Sequence, residues 1–508
     1  MTAVLERPAV PVATRRAVTW RQVFRNSVVV PLVVTAPVIG VGLIGDHRYN
    51  VFWHGATVQS RPWELVTENL RTVPMYISFG NFRPLGRMLE WAVDALAFSL
   101  AEVLHVPVTV TLHLLSALAA GVLVAAIVLL AQALTAKGPL FAEPPSRTVA
   151  LLPFLAGTGL TAAGAVSTTV LFGGLYFLST ALVLAVVAWI CREPRSVTLV
   201  VAAGAVLAVT NEMAALAPPL ATVAVLARGA RRRPAVLLWL GFLPIFLPVR
   251  VLIWAACRGG GCYRNSELVL GRPAIETVPN RLTAWLPPLQ WYSALHGGGR
   301  LNLLVVGVAV VLLGVAAVGL FARLPAAPRL DRRQAVTLVV TGAAALLLGT
   351  ALGSVNVQPQ EMAASGSWGA GWRDSPLTLA GGALLTAGLL ALVAGAVVSR
   401  AALAVLVVTG AVSTAASHAF TLNEDQGPTA VVTAEISDEV AHFDKSPAGD
   451  ARRCDLLAQF GALTRHSGYS HIAVGELPQT HSTLDRMRVT ADMATQEMYG
   501  RPFCRTAG

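Results

Sequence analysis

The sequence predicts an all-α polytopic membrane protein with about eleven transmembrane helices. Of its 508 residues, 55% are hydrophobic and only 13% are charged, whereas soluble domains carry about 25% charged residues. Apolar runs of the length that crosses a bilayer as a helix recur along the chain, and short basic clusters separate them. The net charge of +11 is therefore attributed to cytoplasmic loops, and no nucleic-acid partner is predicted.

The predicted transmembrane region covers residues 27–420 and follows a basic, cytoplasmic N-terminal arm, residues 1–26. Apolar runs within this region are long enough, or nearly long enough, to cross a bilayer. The two runs on either side of residue 211 are short and also fit a helical hairpin. In chain order, the predicted spans are residues 27–45, 107–134, 148–165, 169–190, 196–210, 213–227, 235–256, 302–322, 335–354, 377–398 and 401–420.

The basic residues predict the orientation of the chain. If all the predicted spans cross, the basic clusters fall on one side, which the positive-inside rule assigns to the cytoplasm. The N-terminus is then cytoplasmic and the C-terminus extracytoplasmic. The positive charge is nearly all arginine, which is typical of a GC-rich bacterial genome and predicts a bacterial plasma membrane. The clusters are residues 15–25, Lys137 with Arg147, Arg192 with Arg195, 228–234, 323–333 and Arg400.

Three outer loops are long, residues 46–106, 257–301 and 355–376. The end of the first loop, residues 83–106, is long enough to cross the membrane but is interrupted by charged residues. We expect an amphipathic juxtamembrane helix on the outer leaflet; a true span paired with a missed neighbour is the alternative. The tail, residues 421–508, holds nearly half of the acidic residues and has apolar positions at helical spacing, which predicts a small helical extracytoplasmic domain.

Four of the five cysteines fall on the predicted outer side, where disulfides persist. Cys257 and Cys262 flank a glycine-rich turn, and Cys454 and Cys504 bracket much of the tail. Disulfides are favoured over metal binding because no histidine lies at ligand spacing in either place. Cys191, at a cytoplasmic helix end, is expected to be a free thiol.

No nucleotide-binding, zinc-protease or serine-hydrolase motif is present. Instead, ionisable residues gather near the outer ends of the predicted spans, where charges in or near a bilayer are candidate sites because they are costly to bury. Asp46 closes the first span, and Glu212 lies in the turn between the two short spans. The others are Arg83, Arg87, His113, Arg250 and Arg373.

Each of these residues can also be interpreted as structural, with no role in catalysis or binding. Asp46 fits a solvated helix terminus, and Glu212 fits an ion pair with a neighbouring arginine. Arg250 fits a side chain that extends toward the headgroups, and His113 fits a hydrogen bond between helices. Arg373 and Asp374 are expected to form an ion pair at the surface. The tryptophans and tyrosines of the outer loops fit an interfacial belt better than a sugar-binding platform.

As a group, the acids and arginines on one face fit a lipid-phosphate substrate. Arginines bind phosphate bidentately, a groove beside the amphipathic helix would hold an isoprenoid, and a carboxylate at the water boundary would deprotonate an acceptor. This layout resembles the GT-C superfamily of integral membrane glycosyltransferases. The resemblance covers mainly residues 28–227, through "IGDHRYN", the segment that begins "GNFRPLGRMLEW", and the outer turn "VTNEMAALAPP".

The resemblance implies a GT-C-like fold and transfer of a sugar from a polyprenyl-phosphate donor to a glycan, lipid or protein acceptor, with inversion at the sugar. Asp46 matches the catalytic acid of the family, Arg83 and Arg87 the outer-face turn, and Glu212 the later outer turn. The usual acidic pair is reduced to Asp46 followed by His47, so the need for a divalent metal stays open. The phosphate roles of Arg250 and Arg373 rest on position.

Two other functions remain open at this stage. A transporter or flippase for a lipid-linked substrate predicts charges along a path through the membrane, whereas these charges stay at one face. A non-catalytic scaffold for envelope assembly would act through the tail, residues 421–508.

Overall fold

A computed structural model describes residues 17–258, 262, 267–296, 298–393, 395–425, 428–465 and 482–505. Parts of the predicted N-terminal arm, of the turn between Cys257 and Cys262 and of the tail lie outside these residues. The described chain forms helices joined by loops, with no β-strand. The α-helices are α1 (Trp20–Thr35), α2 (His47–Ser60), α3 (Glu64–Arg71), α4 (Val73–Ser78), α5 (Pro84–Leu104), α6 (Val108–Thr135), α7 (Arg147–Gly157), α8 (Gly173–Cys191), α9 (Val197–Ala208), α10 (Ala217–Arg228), α11 (Arg233–Cys257), α12 (Arg272–Thr283), α13 (Pro287–Leu295), α14 (Leu303–Arg323), α15 (Arg332–Ser354), α16 (Val357–Ala364), α17 (Ser375–Val393), α18 (Ala396–Asp425), α19 (Pro428–Ala441), α20 (Pro447–Thr464) and α21 (Thr483–Tyr499).

Within the described ranges, seven helices are long and apolar enough to cross a membrane: α6, α8, α11, α14, α15, α17 and α18. The chain is therefore a multi-pass membrane protein. The other four predicted spans correspond to α1, α7, α9 and α10, which have 16, 11, 12 and 12 residues. These helices are shorter than the roughly 20 residues that a crossing requires, so the count of eleven stays a prediction.

The long helices bury one side against each other and leave the other side apolar and exposed. Leu123, Leu184 and Leu384 lie in the shared core and are fully buried. On α14, by contrast, Leu303 is 82% exposed and Val315 is 68% exposed. An apolar outer face is what a helix needs when hydrocarbon rather than water surrounds it.

The predicted cytoplasmic loops meet at one end of the helices. Arg333 donates to the carbonyl of Arg228, and Arg228 in turn donates to the carbonyl of Ala136. Arg192 donates to the carbonyl of Gly138. The basic clusters thus share one end of the molecule, as the sequence predicted for a single side of the membrane; which side that is stays a prediction.

Helix α5 turns its charged face toward the protein. Arg87, Glu90 and Asp94 are 4%, 7% and 1% exposed, whereas Leu96 and Val103 on the same helix are 49% and 74% exposed. A helix lying on a membrane surface usually turns charged residues to water. Here the charges instead face α2 and the turn before α10.

The C-terminal helices share a core with the first outer loop. Ile436, Phe460 and Met487 from α19, α20 and α21 pack in one buried cluster with Phe52 of α2 and Phe98 of α5. The structure contains both expected disulfides, Cys454–Cys504 in this region and Cys257–Cys262 at the end of α11, while Cys191 is free and buried. The tail is therefore packed onto residues 46–106 rather than standing apart from them.

Candidate functional site

A cavity of about 60 Å³ lies where α11 and α15 end and α17 begins. This is the end of the helices opposite the basic loops, because α11 and α15 begin in the basic loops at residues 228–234 and 323–333, and α17 ends before Arg400. Its polar lining comes from segments far apart in sequence: Asn81, Glu212, Arg250, Asn356, Trp372 and Arg373. Three of the six predicted substrate-binding residues, Glu212, Arg250 and Arg373, therefore line one cavity.

Glu212 is the centre of a connected set of polar contacts. Arg373 Nη1 donates to Glu212 Oε1 over 3.1 Å. The Tyr176 hydroxyl donates to the same oxygen over 3.5 Å and accepts from Arg83 Nη1 over 3.0 Å. Burial alone would raise the pKa of Glu212, but Arg373, Arg83 and Arg250 outweigh burial and lower that pKa to about 2. Glu212 is therefore a carboxylate at any physiological pH.

The turn that carries Glu212 is fixed by its neighbours. The Asn211 side chain accepts from the Ala214 N–H over 3.0 Å and donates to Ser179 Oγ over 2.8 Å. The start of α5 presses on the turn at Gly86, where an added Cβ would lie 2.2 Å from the Thr210 carbonyl oxygen. Because only glycine allows this approach, α5 delivers Arg83 and Arg87 directly beside Glu212.

Arg87 is buried and the Arg83 side chain is 12% exposed, and both cations have spare hydrogen-bonding capacity. Within the described part of the chain, Arg83 Nε and Arg87 Nη2 are buried and have no hydrogen-bond partner. Arg87 lies over the Tyr76 ring, and burial lowers the pKa of Arg87 to about 9. The nearest carboxylate oxygen to Arg83 is Glu90 Oε2, at 3.7 Å from Nη2. Buried donors without acceptors are costly, so these groups favour an anionic ligand.

The turn that carries Arg373 is held in place by a buried ion pair of the next residue, Asp374. Asp374 was expected at the surface with Arg373, and that expectation is wrong: its side chain is 0% exposed and pairs with Arg281 of α12, which is also 0% exposed. Arg281 Nε donates to Asp374 Oδ2 over 3.0 Å, Nη2 donates to Oδ1, and Nη1 donates to the Ala370 carbonyl over 2.9 Å. The turn before α17 is thereby fixed, with Arg373 directed at Glu212.

The remaining predicted residues lie elsewhere. Asp46 precedes α2, its side chain is 46% exposed, and its Oδ1 lies 3.4 Å from Arg486 Nη1 of α21. His113 is 3% exposed within α6. Neither residue lines the cavity. The structure thus brings Arg83, Glu212, Arg250 and Arg373 together, with Arg87 beside Arg83, and places Asp46 in a different contact; its catalytic role stays a prediction.

Sequence reasoning missed several residues of this region. Tyr176 lies early in an apolar span, and nothing in its local sequence marks it as the link between Arg83 and Glu212. Glu90 and Asp94 were noted only as interruptions of an apolar run. Their spacing of four residues places both on one helix face. That spacing could have predicted that both carboxylates face the same neighbouring element, which is α2 with His54.

The described residues include one group that could hold a metal ion. One ligand atom from each of His54, Glu90 and Asp94 lies within 4.8 Å of the others, and all three residues are buried. Asp46 is not part of this group.

Comparisons of the chain with models of known protein families, with curated proteins and with solved structures find no match.

Proposed function

We propose that this protein is a membrane glycosyltransferase that takes a sugar from a polyprenyl-phosphate donor at the extracytoplasmic face of a bacterial plasma membrane. The proposal includes a GT-C-like arrangement of about eleven spans, a cytoplasmic N-terminus and an extracytoplasmic C-terminus. The acceptor would be a glycan, a lipid or a protein.

The observation that carries the proposal is the convergence of four arginines at one end of the membrane helices. Arg83, Arg87, Arg250 and Arg373 come from three distant parts of the chain and act on the same carboxylate, Glu212. These arginines form ion pairs with two carboxylates, Glu212 and Glu90, and Arg83 Nε and Arg87 Nη2 have no hydrogen-bond partner in the described chain. Guanidinium groups with unused N–H donors match the charge and geometry of a phosphate.

The position of the cavity supports a phosphate carried by a lipid. Arg250 is seven residues from the end of α11, about 10 Å along the helix axis. Val251, Leu252 and Trp254, in the following turn, are 60%, 55% and 59% exposed. A headgroup phosphate at Arg250 would therefore have an apolar helix surface beside it, where an isoprenoid chain can lie.

The chemistry assigns different tasks to the two carboxylates. In an inverting transfer, a base takes the proton from the acceptor hydroxyl, the oxygen attacks the sugar carbon, and polyprenyl phosphate leaves with the electrons of the broken bond. Glu212, whose pKa is about 2, is a weak base, and its contacts suit it to orient the arginines. Asp46 remains the proposed base. Its exposed side chain is accessible to an acceptor from the aqueous side.

The distribution of charge favours a transferase over a transporter. The polar network from Arg83 to Arg373 lies at the helix ends, whereas a transporter needs polar groups along a continuous path. The tail packs on α2 and α5, and a scaffold acting only through a free tail does not require that packing.

The test is a transfer assay with purified protein in proteoliposomes, a panel of polyprenyl-phosphate sugars and a panel of glycan, lipid and protein acceptors, following the release of polyprenyl phosphate. Asp46→Asn should abolish release while leaving donor binding intact, because it removes the base and not the phosphate contacts. Asp438→Asn serves as the matched control, because Asp438 is also an exposed acid but lies on the tail; this variant should retain activity. Release by Asp46→Asn at the control rate would reject the assignment of Asp46. Absence of release from every donor in the wild type would reject the function.

A further inference from the structure

The group of His54, Glu90 and Asp94 lies between two tightly packed helices. Glu90 and Asp94 are one turn apart on α5, and His54 faces them from α2. The approach is close because Gly55 has no side chain: a Cβ there would lie 2.5 Å from Cβ of Phe98 on α5. The Trp91 ring stacks on the His54 ring, with centroids 4.3 Å apart. The imidazole is thereby held with one edge toward the two carboxylates.

The two carboxylates are buried with few partners. Asp94 is 1% exposed and Glu90 is 7% exposed. Within the described ranges, the one hydrogen bond to either carboxylate joins His54 Nδ1 and Asp94 Oδ2 over 2.7 Å. The nearest guanidinium nitrogen, Arg83 Nη2, is 3.7 Å from Glu90 Oε2, beyond hydrogen-bond distance. Three of the four carboxylate oxygens therefore make no hydrogen bond to a described residue.

Buried carboxylates are normally paired with cations or bound to metals, because an uncompensated charge in a low-dielectric interior is costly. The cations of this region fill that need only in part, because Glu90 has an ion pair with Arg83 at 3.7 Å, whereas no arginine or lysine of the described chain pairs with Asp94. Arg83 is directed through Tyr176 toward Glu212, and Arg87 lies over Tyr76. Asp94 is thus left with His54 as its partner, and Glu90 lies between Asp94 and Arg83.

We propose that His54, Glu90 and Asp94 bind a divalent transition-metal ion between α2 and α5. One imidazole nitrogen and two carboxylates form a ligand set for zinc or manganese, whereas magnesium and calcium prefer oxygen ligands alone. A tetrahedral ion with metal–ligand bonds of about 2.0–2.2 Å needs donor atoms about 3.4 Å apart. The present atoms lie within 4.8 Å of one another, so small side-chain rotations would complete the site. His54 Nδ1 would then bind the metal through its lone pair instead of contacting Asp94.

The consequence is a metal that joins the first outer loop to the charged cavity. Glu90 would be shared between the metal and Arg83, so the ion would fix the helix that delivers Arg83 and Arg87. The site does not depend on the proposed transferase activity, because its ligands come from α2 and α5 and line no part of the cavity.

The test uses the full-length protein in detergent, stripped with a chelator and then loaded with Zn²⁺, Mn²⁺ or Co²⁺. Elemental analysis should find about one tightly bound ion per chain, and Co²⁺ should give the visible absorption of a site with nitrogen and oxygen ligands. Asp94→Asn should lower metal affinity at least about tenfold. Asp438→Asn is the matched control, because Asp438 forms a similar His–Asp pair with His442, at 3.0 Å, without a second carboxylate to complete a set of three ligands.

Three results decide the proposal. Retention of the ion by Arg373→Gln, with loss only in Asp94→Asn, supports the site even if no transferase activity is found. Equal metal content in wild type and a folded Asp94→Asn variant overturns it. If Asp94→Asn does not fold, the wild-type Co²⁺ titration decides: a spectrum identical to that of free Co²⁺ shows that the carboxylates are satisfied by protons and that the proposal is wrong.

Discussion

Asp374→Asn should destabilise the protein strongly, because it leaves the guanidinium of Arg281 buried without a counter-charge. Both side chains are 0% exposed, so water cannot compensate. Asparagine keeps the shape of aspartate but presents an amide NH₂ in place of one acceptor oxygen, so at most one of the two bonds from Arg281 survives. The bond to the Ala370 carbonyl remains. Breaking a buried ion pair from one side costs about 3–5 kcal/mol, and we expect a loss of this size.

The measurement is the free energy of unfolding from an SDS titration in mixed micelles. The control is Glu276→Gln on the same helix, α12: its partner Arg272 is 88% exposed, and exposed pairs contribute little, so no measurable change is expected. Replacing both buried partners, Arg281→Met with Asp374→Leu, should recover most of the lost stability because no unpaired charge remains. The reasoning would be refuted if Asp374→Asn unfolds like the wild type, or if the apolar double variant is less stable than Asp374→Asn.

Two further predictions concern the surroundings of Glu212. The pKa of Glu212 is lowered from 4.5 to about 2, so its contribution to stability is fully present above pH 4.5 and is lost as the pH falls toward 2; that difference corresponds to about 3 kcal/mol. The free energy of unfolding should therefore fall more steeply between pH 5 and pH 3 in the wild type than in Glu212→Gln. Identical slopes of that free energy against pH would contradict the ion pairing. Gly86→Val should displace the start of α5 from the Thr210 carbonyl and lower both stability and phosphate affinity, while Gly138→Val, where nothing lies within 4 Å of an added Cβ, should leave phosphate affinity unchanged. Unchanged binding in a folded Gly86→Val variant would show that α5 does not position the arginines.

The membrane class and the long helices could be predicted because both depend on local composition. An apolar run of about 20 residues needs no tertiary partner to be recognised. The short helices were less predictable. The run at residues 148–165 continues beyond Gly157, where α7 ends, because apolar composition alone does not distinguish a helix from a buried irregular segment.

The charged residues also divide into those whose position the sequence could predict and those whose position it could not. Glu212, Arg250 and Arg373 stood out in the sequence because charges at the ends of apolar runs are costly, and they meet in one cavity. Asp374 was misplaced because its partner, Arg281, lies 93 residues away, and no local pattern reports such a pairing. The inward orientation of the charges of α5 could not be predicted for the same reason, because their partners, α2 and Tyr176, come from other parts of the chain.

The most direct test is the affinity of the purified protein for farnesyl phosphate, a short polyprenyl phosphate, measured by calorimetry in detergent. The wild type should bind, and Arg83→Gln, Arg250→Gln and Arg373→Gln should each weaken binding by about tenfold or more, because a charge-assisted hydrogen bond contributes about 1.5–3 kcal/mol. Arg272→Gln is the control, because Arg272 is 88% exposed on α12 and pairs with Glu276 outside the cavity; it should bind as the wild type does. Equal affinity in the wild type and in all three arginine-to-glutamine variants would contradict a phosphate site built from these arginines.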